Sequence, residues 1–350
     1  MSTLSSVYKK IIIRDIISET QDVKTFKLGY ADGSPLEYEA GQFITFVFPK
    51  HELAEERRSY SFSTAPKIDD VPAITLKRVT NGEYSRWFID HAKPGDALLT
   101  IGTSGYFTLP DDLGKYKRLI LLAAGSGITP IFSLLKRALQ EYPSLQLVLI
   151  YSNRTAADTI FYNELIGLQQ EYSERLTIEF LFSTSPNLLR ARLNKGLLEN
   201  LLKKYSHDDH AQSLFYLCGP YDYMRMATIV LQTEGVPPEN IRRENFAIVK
   251  PVQKRFPPDQ EQHAITLYME GNRYTFEVQF PETILQQAKK NNIPIPYSCE
   301  SGQCGTCAAT CTKGHVWMWN NEVLTDSEIQ KGRVLTCSGY PVGGDVVLEI

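Results

Sequence analysis

The sequence predicts three modules in series: a small antiparallel all-β barrel or sandwich, an α/β domain on a parallel sheet, and a small α+β domain. Three observations predict it. Roughly the first 110 residues are short β-branched or apolar segments punctuated by Gly, Pro and Asp turns. From about Lys117, apolar strands alternate with helical patterns, the signature of βαβ units. Five of the six cysteines fall in the last 52 residues, a crowding that suits a metal site better than a disulfide framework. A length of 350 residues supports two or three domains. With 43% hydrophobic and 22% charged residues, collagen-like, disordered and disulfide-scaffold chains are excluded. The expected boundaries are 1–112, 113–250, a linker at 251–261, and 262–350.

In the first module, strands are expected at Lys10–Ile17, Val23–Leu28, Phe43–Phe48, Ile74–Val79 and Ala97–Ile101. Asp32-Gly33, Lys93-Pro94-Gly95-Asp96 and Pro110-Asp111 supply turns. Arg58-Ser59-Tyr60-Ser61 is placed after an apolar strand. An Arg grips phosphate, a Tyr lies along an aromatic ring system, and a Ser hydroxyl bonds a ring edge. As an isolated string this fits equally well a basic strand with a core Tyr.

In the second module, strands are expected at Leu119–Ala123, Leu145–Tyr151, Leu176–Ser183 and Ser213–Cys218. Helices are expected at Ile131–Glu141, Asp158–Gln170, Leu193–Tyr205 and Tyr221–Glu234. The longest uncharged apolar run, Leu119–Leu135, contains Gly125, Gly127 and Pro130. It reads as strand, tight turn and helix start rather than a membrane span. Gly125 and Gly127 would let backbone approach a pyrophosphate at that helix N-terminus, although the turn lacks the full G-x-G-x-x-G. After the second strand stands Arg154, with no acidic residue until Asp158. An Arg there suits a ribose 2′-phosphate, which favours NADPH over NADH, against the reading of an ordinary surface Arg. Arg190 and Arg192 are further candidates.

Lys250 to Gln262 is polar and Pro-rich and reads as a linker. Strands Ala264–Met269 and Arg273–Val278 and a helix near Ile284–Asn291 precede the cysteines. Cys299, Cys304 and Cys307 form C-x4-C-x2-C, and Cys337 follows after 29 residues. Four thiolates around two bridged irons, three on one loop and one distant, is the plant-type [2Fe–2S] spacing. Zinc is the other metal four cysteines hold, but zinc sites favour paired short spacings. Gly302, Gly305, Ser301 and Thr306 would let backbone amides reach the sulfurs. Cys311 is left over and reads as a small buried hydrophobe.

Pro296 to Cys307 together with Val334-Leu-Thr-Cys337 resembles plant-type ferredoxin over residues 262–350, which implies a β-grasp fold and a one-electron carrier. The Arg58-Ser59-Tyr60-Ser61 string resembles the flavin signature of the ferredoxin–NADP reductase superfamily, whose barrel likewise precedes a nucleotide domain. That resemblance implies that Arg58 holds a flavin phosphate, Tyr60 packs on the flavin and Ser61 lies near its N5. It also makes Gly82-Glu-Tyr-Ser85 a second phosphate-binding turn, with Gly82 and Ser85 contributing, where the bare sequence allows an exposed loop. The G-x-G-I-T-P form of the glycine turn resembles the superfamily's own nucleotide loop, to which Thr129 would add a hydroxyl. Cys218-Gly219-Pro220 would lie beside the nicotinamide and align its C4 with flavin N5. Glu244-Asn245-Phe246 resembles the segment that ends such modules, so Phe246 would cover the flavin and Glu244 would bond near N5. FAD is expected in preference to FMN.

The whole order resembles the reductase components of bacterial multicomponent oxygenases, the phenylacetyl-CoA epoxygenase reductases among them. The resemblance implies electron flow from NADPH through FAD and one [2Fe–2S] cluster to a terminal oxygenase or other acceptor protein. A general NADPH–ferredoxin reductase serving desaturases or other acceptors is the alternative, and a zinc-bearing binding module a third class. With 37 Lys and Arg against 40 Asp and Glu, no basic surface for nucleic acid is expected. No signal peptide or membrane span is read, and a cytoplasmic location is expected from the free thiols.

Overall fold

The computed structural model describes residues 8–50, 55–206, 210–246 and 255–350. They form two compact units. One holds residues 8–103 and 107–246; the other is built around 255–350 and takes in Ser104–Tyr106.

In the larger unit the chain opens with β1 (Lys9–Thr20), β2 (Val23–Tyr30), β3 (Phe43–Pro49), β4 (Glu55–Ser61), β5 (Ala73–Lys77), helix α1 (Glu83–Asp90) and β6 (Ala97–Ser104). The sheet order is β4-β3-β6-β1-β2-β5. A bridge between Phe62 and Ile74 joins the two ends of that order, so the sheet closes as a barrel and leaves few free edges. Ile11, Ile13, Phe26, Leu28, Ile44 and Phe46 point inward and are at most 1% exposed, the period-2 burial that one-faced strands require.

The rest of this unit is β7 (Arg118–Ala124), α2 (Ile128–Glu141), β8 (Gln146–Asn153), α3 (Tyr162–Glu171), β9 (Leu176–Phe182), α4 (Leu188–Ala191), α5 (Lys195–Ser206), β10 (Ser213–Cys218), α6 (Tyr221–Thr233) and β11 (Ile241–Glu244). The sheet order is β11-β10-β7-β8-β9, parallel at every pairing. All six residues of β10 are buried, as expected of a strand covered by helices on both faces.

The smaller unit comprises β12 (His263–Met269), β13 (Asn272–Val278), α7 (Ile284–Lys290), β14 (Ala308–Lys313), β15 (Val316–Met318), α8 (Asp326–Gln330), β16 (Arg333–Leu335), β17 (Gly339–Pro341) and β18 (Val346–Glu349). Its main sheet runs β13-β12-β18-β14-β16, with β15 and β17 as a separate pair. Capping boxes start α7 (Thr283 with Gln286) and α8 (Thr325 with Glu328).

Several sequence expectations shift. Arg58-Ser59-Tyr60-Ser61 does follow an apolar strand, β3, but is itself part of a strand, β4; the charged pattern is tolerated because Arg57 is ion-paired to Glu55 at 2.6 Å. The segment at Gly82–Ser85 begins a helix that the sequence does not announce. Helix α2 starts at Ile128, three residues early, because Pro130 in its first turn lacks only an N–H that would be unpaired there. Helix α3 starts at Tyr162, four residues late. Thr155 and Asp158 bond each other in a turn, and Phe161 takes a left-handed φ of 60°. Of the expected linker at 251–261, residues 251–254 lie outside the described residues. From 255 onward the chain belongs to the smaller unit, where Phe256 packs edge-on against Phe280 and Asp259 accepts from Gly343 N–H at 2.7 Å.

Candidate functional site

The larger unit brings together residues from both of its modules. In β4, alternate side chains share a face, and Arg58 and Tyr60 lie on one. The Arg58 guanidinium stands 5.1 Å over the ring of Tyr84 in the first turn of α1, and Tyr84 stacks on Phe48 at 3.9 Å. An Arg and a helix N-terminus thus meet, two features that favour a phosphate. Gly82 caps this helix without a side chain; a Cβ there would come within 2.4 Å of Ser85 Oγ. The Ser85 hydroxyl accepts from Val79 N–H and donates to Gly82 O, both at 3.2 Å. Ser85 therefore shapes the turn with its side chain, leaving its backbone for an anion. Tyr60 packs among Phe46 and Phe88, and burial pushes its phenol up.

Ser61, on the opposite face of β4, donates to Glu244 Oε2 at 2.9 Å, across 183 residues of sequence. Sheet register explains the meeting point. β10 lies between β7 and β11, so Cys218 pairs with both Ala123 and Glu244 at the carboxyl ends of three strands. That edge of a parallel sheet is where ligands bind. Burial pushes the Glu244 carboxyl up to about 8, while the Ser61 hydrogen bond pulls it back. Cys218 is fully buried, and burial with the nearby Glu244 raises its thiol well above the ordinary range.

The two loop glycines do different work. Gly125 takes φ +54° and has open space where a Cβ would stand, so the loop leaves room for a bound group. Gly127 faces the protein: a Cβ there would lie 2.1 Å from Cys218 O and 2.8 Å from Gly219 N. Its smallness seats the α2 N-terminus on the Cys218-Gly219 turn. Gly219 is likewise confined, with a Cβ meeting Ala124 at 2.9 Å, and Pro220 precedes α6 as its N-cap. Thr129 is 1% exposed and donates to Ser126 O at 2.8 Å, so its hydroxyl closes the loop. Tyr151 and Tyr223, neither singled out by sequence, hold this edge through bonds to Gly125 O at 3.0 Å and Ala123 O at 3.2 Å. The sequence signal for them is slight: Tyr223 stands in the helix that follows the Cys218-Gly219-Pro220 turn, and Tyr151 on β8, the strand paired with β7.

Arg154 follows β8 with its side chain 78% exposed, 3.4 Å from Asp158. Arg190 is engaged by Glu179 and Arg192 is exposed at the end of α4. Phe246 is 46% exposed and closes the described segment.

In the smaller unit the four cysteines converge. The Cys299 side chain lies beside those of Cys304 and Cys337, and Cys307 lies beside Cys337. Ser301 N–H and Gln303 N–H each point at Cys299 Sγ at 3.4 Å, and Gly302 N–H at Cys337 Sγ at 3.3 Å. Donors aimed at sulfur suit thiolates carrying bridged irons. Gly302 takes φ +76°, and a Cβ would lie 2.5 Å from Asn320 O. Asn320 in turn donates to Ser301 O at 2.6 Å, bracing the loop. Among the described residues no three His, Cys, Asp or Glu side chains close on a single-ion site. Cys311 lies apart on β14, half-buried, with its thiol raised by burial.

Comparison with known proteins agrees with this reading. Residues 121–229 match the oxidoreductase NAD-binding domain, and residues 267–342 match the 2Fe-2S iron-sulfur cluster binding domain. The chain is 31% identical to the ferredoxin reductase component of 3-ketosteroid-9-alpha-monooxygenase from Mycolicibacterium smegmatis, over 98% of this chain and 97% of that protein. It belongs to the family of such ferredoxin reductase components. A component of the 1,2-phenylacetyl-CoA epoxidase of Escherichia coli is 29% identical over 98% of each chain. In fold the chain is similar to phthalate dioxygenase reductase, with a TM-score of 0.58, 24% identity and complete coverage of both chains. It also resembles part of an intact type IV self-sufficient cytochrome P450 monooxygenase, with a TM-score of 0.71, 20% identity, and coverage of 99% of this chain and 41% of that one. The chain is thus an oxidoreductase with a nicotinamide-nucleotide domain and a [2Fe–2S] domain. No helix among the described residues is long and apolar enough to cross a membrane.

Proposed function

We propose that the protein takes electrons from NADPH and delivers them singly, through its cluster, to the terminal component of a multicomponent oxygenase, in the cytoplasm. The names of its relatives and the order of its modules support the partner class. The observation that carries the reading is the Ser61–Glu244 bond beside Cys218, at the edge where the glycine loop also arrives. FAD, when bound, accepts a hydride from the nicotinamide and releases electrons one at a time, which a two-electron donor and a one-electron cluster require between them.

Arg58 and the first turn of α1 hold the flavin phosphates, and Tyr60 lies against its ring. Ser61 and Glu244 would present a hydroxyl and a carboxyl to the ring edge. The Gly125–Gly127 loop holds the pyrophosphate of the nucleotide, and the Cys218-Gly219-Pro220 turn orients the nicotinamide. Arg154 selects the 2′-phosphate, for which it must release Asp158. Phe246 covers the flavin face. Cys299, Cys304, Cys307 and Cys337 hold the cluster. Positioning does most of the work in the hydride step, since no protein base need act in it.

The test is the visible spectrum of anaerobically purified protein, titrated with NADPH and separately with NADH. Bleaching of flavin and iron–sulfur bands by NADPH is expected. Bleaching by NADH alone would keep the electron path and remove the role of Arg154. A colourless, zinc-containing protein would overturn the reading.

A further inference from the structure

Helix α2 carries three polar side chains at positions 129, 133 and 136, the spacing that puts residues on one helical face. All three reach the barrel. Thr129 Oγ1 lies 3.4 Å from Thr75 O on β5, in addition to its bond within the loop. Ser133 donates to Thr64 O at 2.6 Å and accepts from Gly41 N–H at 3.3 Å. Lys136 Nζ sits 2.5 Å from Asp69 Oδ2 and 4.6 Å from the centre of the Phe132 ring, with its side chain only 12% exposed. The same Asp69 oxygen accepts from Ala65 N–H at 2.6 Å, so the ion pair also closes the 65–69 turn. Between these contacts the packing is tight. Gly41 has φ +91°, and a Cβ there would lie 2.0 Å from Phe107 O and 2.8 Å from Leu134 of α2.

We propose that Ser133 and Lys136, with Thr129, form a strut that sets the position of the nucleotide loop relative to the barrel, and so act as positioning residues for hydride transfer. One end of α2 carries the glycine loop seated on the Cys218 turn. The other three contacts grip residues 64–75, which begin three residues after Ser61. One helix therefore ties Ser61 to Cys218. The buried ammonium makes the link directional, because parting it from Asp69 leaves an uncompensated charge. The inference rests on the proposed hydride transfer: one proton with two electrons would leave nicotinamide C4 for flavin N5, the C4–H bond breaking and an N5–H bond forming, which leaves oxidised nucleotide and reduced flavin. Small misplacements in such a step cost about 10²-fold.

The experiment mixes the full-length, flavin- and cluster-loaded protein rapidly with NADPH or NADH, protiated or deuterated at C4. In Lys136→Met the limiting rate of flavin reduction falls by about 10- to 100-fold, half-saturation by nucleotide stays put, and the deuterium isotope effect rises. Lys136→Arg restores most of the rate, and Ser133→Ala moves it in the same direction by less. Amide hydrogen exchange across residues 64–69, read without turnover, speeds up in Lys136→Met while flavin content is kept. An unchanged rate and unchanged exchange in folded variants overturn the strut. So does a matching loss of flavin, which would mark a merely structural role. If Lys136→Met fails to fold, Ser133→Ala and Lys136→Arg decide the matter. If neither nucleotide reduces the wild-type flavin, the functional reading fails, and exchange alone still judges the strut.

Discussion

The cysteine loop and the Ser61–Glu244–Cys218 edge are assembled in opposite ways. Three of the four thiols lie within nine residues, and the amides that point at Cys299 and at the distant Cys337 come from that same loop. The other site gathers one residue from the barrel and two from adjacent parallel strands, with Ser61 and Glu244 separated by 183 positions. A site built on one loop needs small residues and left-handed backbone inside that loop, as at Gly302. A site built across elements needs close approach between elements, as at Gly127. The cluster site is therefore sensitive to its ligands, and the other to whatever spaces its elements.

Cys337→Ala tests the first half of that contrast and has the largest expected effect. Iron content and the paramagnetic signal of the reduced cluster should vanish, while flavin reduction by NAD(P)H persists. Loss of both activities would mean the two sites are not separable. Gly127→Ala tests the second half. A Cβ 2.1 Å from Cys218 O forces α2 or the turn to shift, and flavin reduction should fall by about 100-fold with iron content unchanged. Gly125→Ala, in open space, should cost only the left-handed backbone, roughly 1–2 kcal/mol by thermal melting. Equal effects would erase the difference between the two glycines.

Ser61→Ala sharpens the contrast at a single bond. It leaves the Glu244 carboxyl without its hydroxyl partner and should slow flavin reduction by about tenfold, the rate equivalent of one lost buried hydrogen bond. Unchanged stopped-flow rates would remove its role. The smallest effect concerns pH. Burial raises Glu244 from 4.5 to about 8. Between those values the folded protein keeps a proton that the unfolded chain has released. Stability from this group is thus present at the acid end and declines as pH rises through that window. Glu244→Gln should flatten the decline, narrowing the gap in melting temperature between about pH 5 and about pH 8 by a few degrees. An unaltered gap would show that the carboxyl ionises normally.

The strands and helices legible in the sequence are those with unbroken periodicity. Ser213–Cys218 is expected at its observed bounds because a doubly covered strand is apolar throughout. β4 escapes such a reading because its Arg and Glu residues hide a strand pattern that only ion pairing allows. The short strands after Cys307 escape it because three or four residues carry no measurable period. Thr129 shows the same limit at a side chain: it is expected to add a hydroxyl to the nucleotide site, and only the tertiary structure shows that this hydroxyl donates to Ser126 O within the loop.

The amino-acid sequence by itself determined the order of the three modules, the C-x4-C-x2-C spacing with its distant fourth cysteine, and the place of the glycine loop. Each of these depends on spacing along the chain, which residue types reveal directly. Only the tertiary structure decided that Cys218, Ala123 and Glu244 share one sheet edge, that Ser61 meets Glu244, and that Ser133 and Lys136 fasten α2 to the barrel. Those depend on strand order and on the registry of a helix against a distant loop. Such contacts are set by the packing of the whole unit rather than by any local pattern.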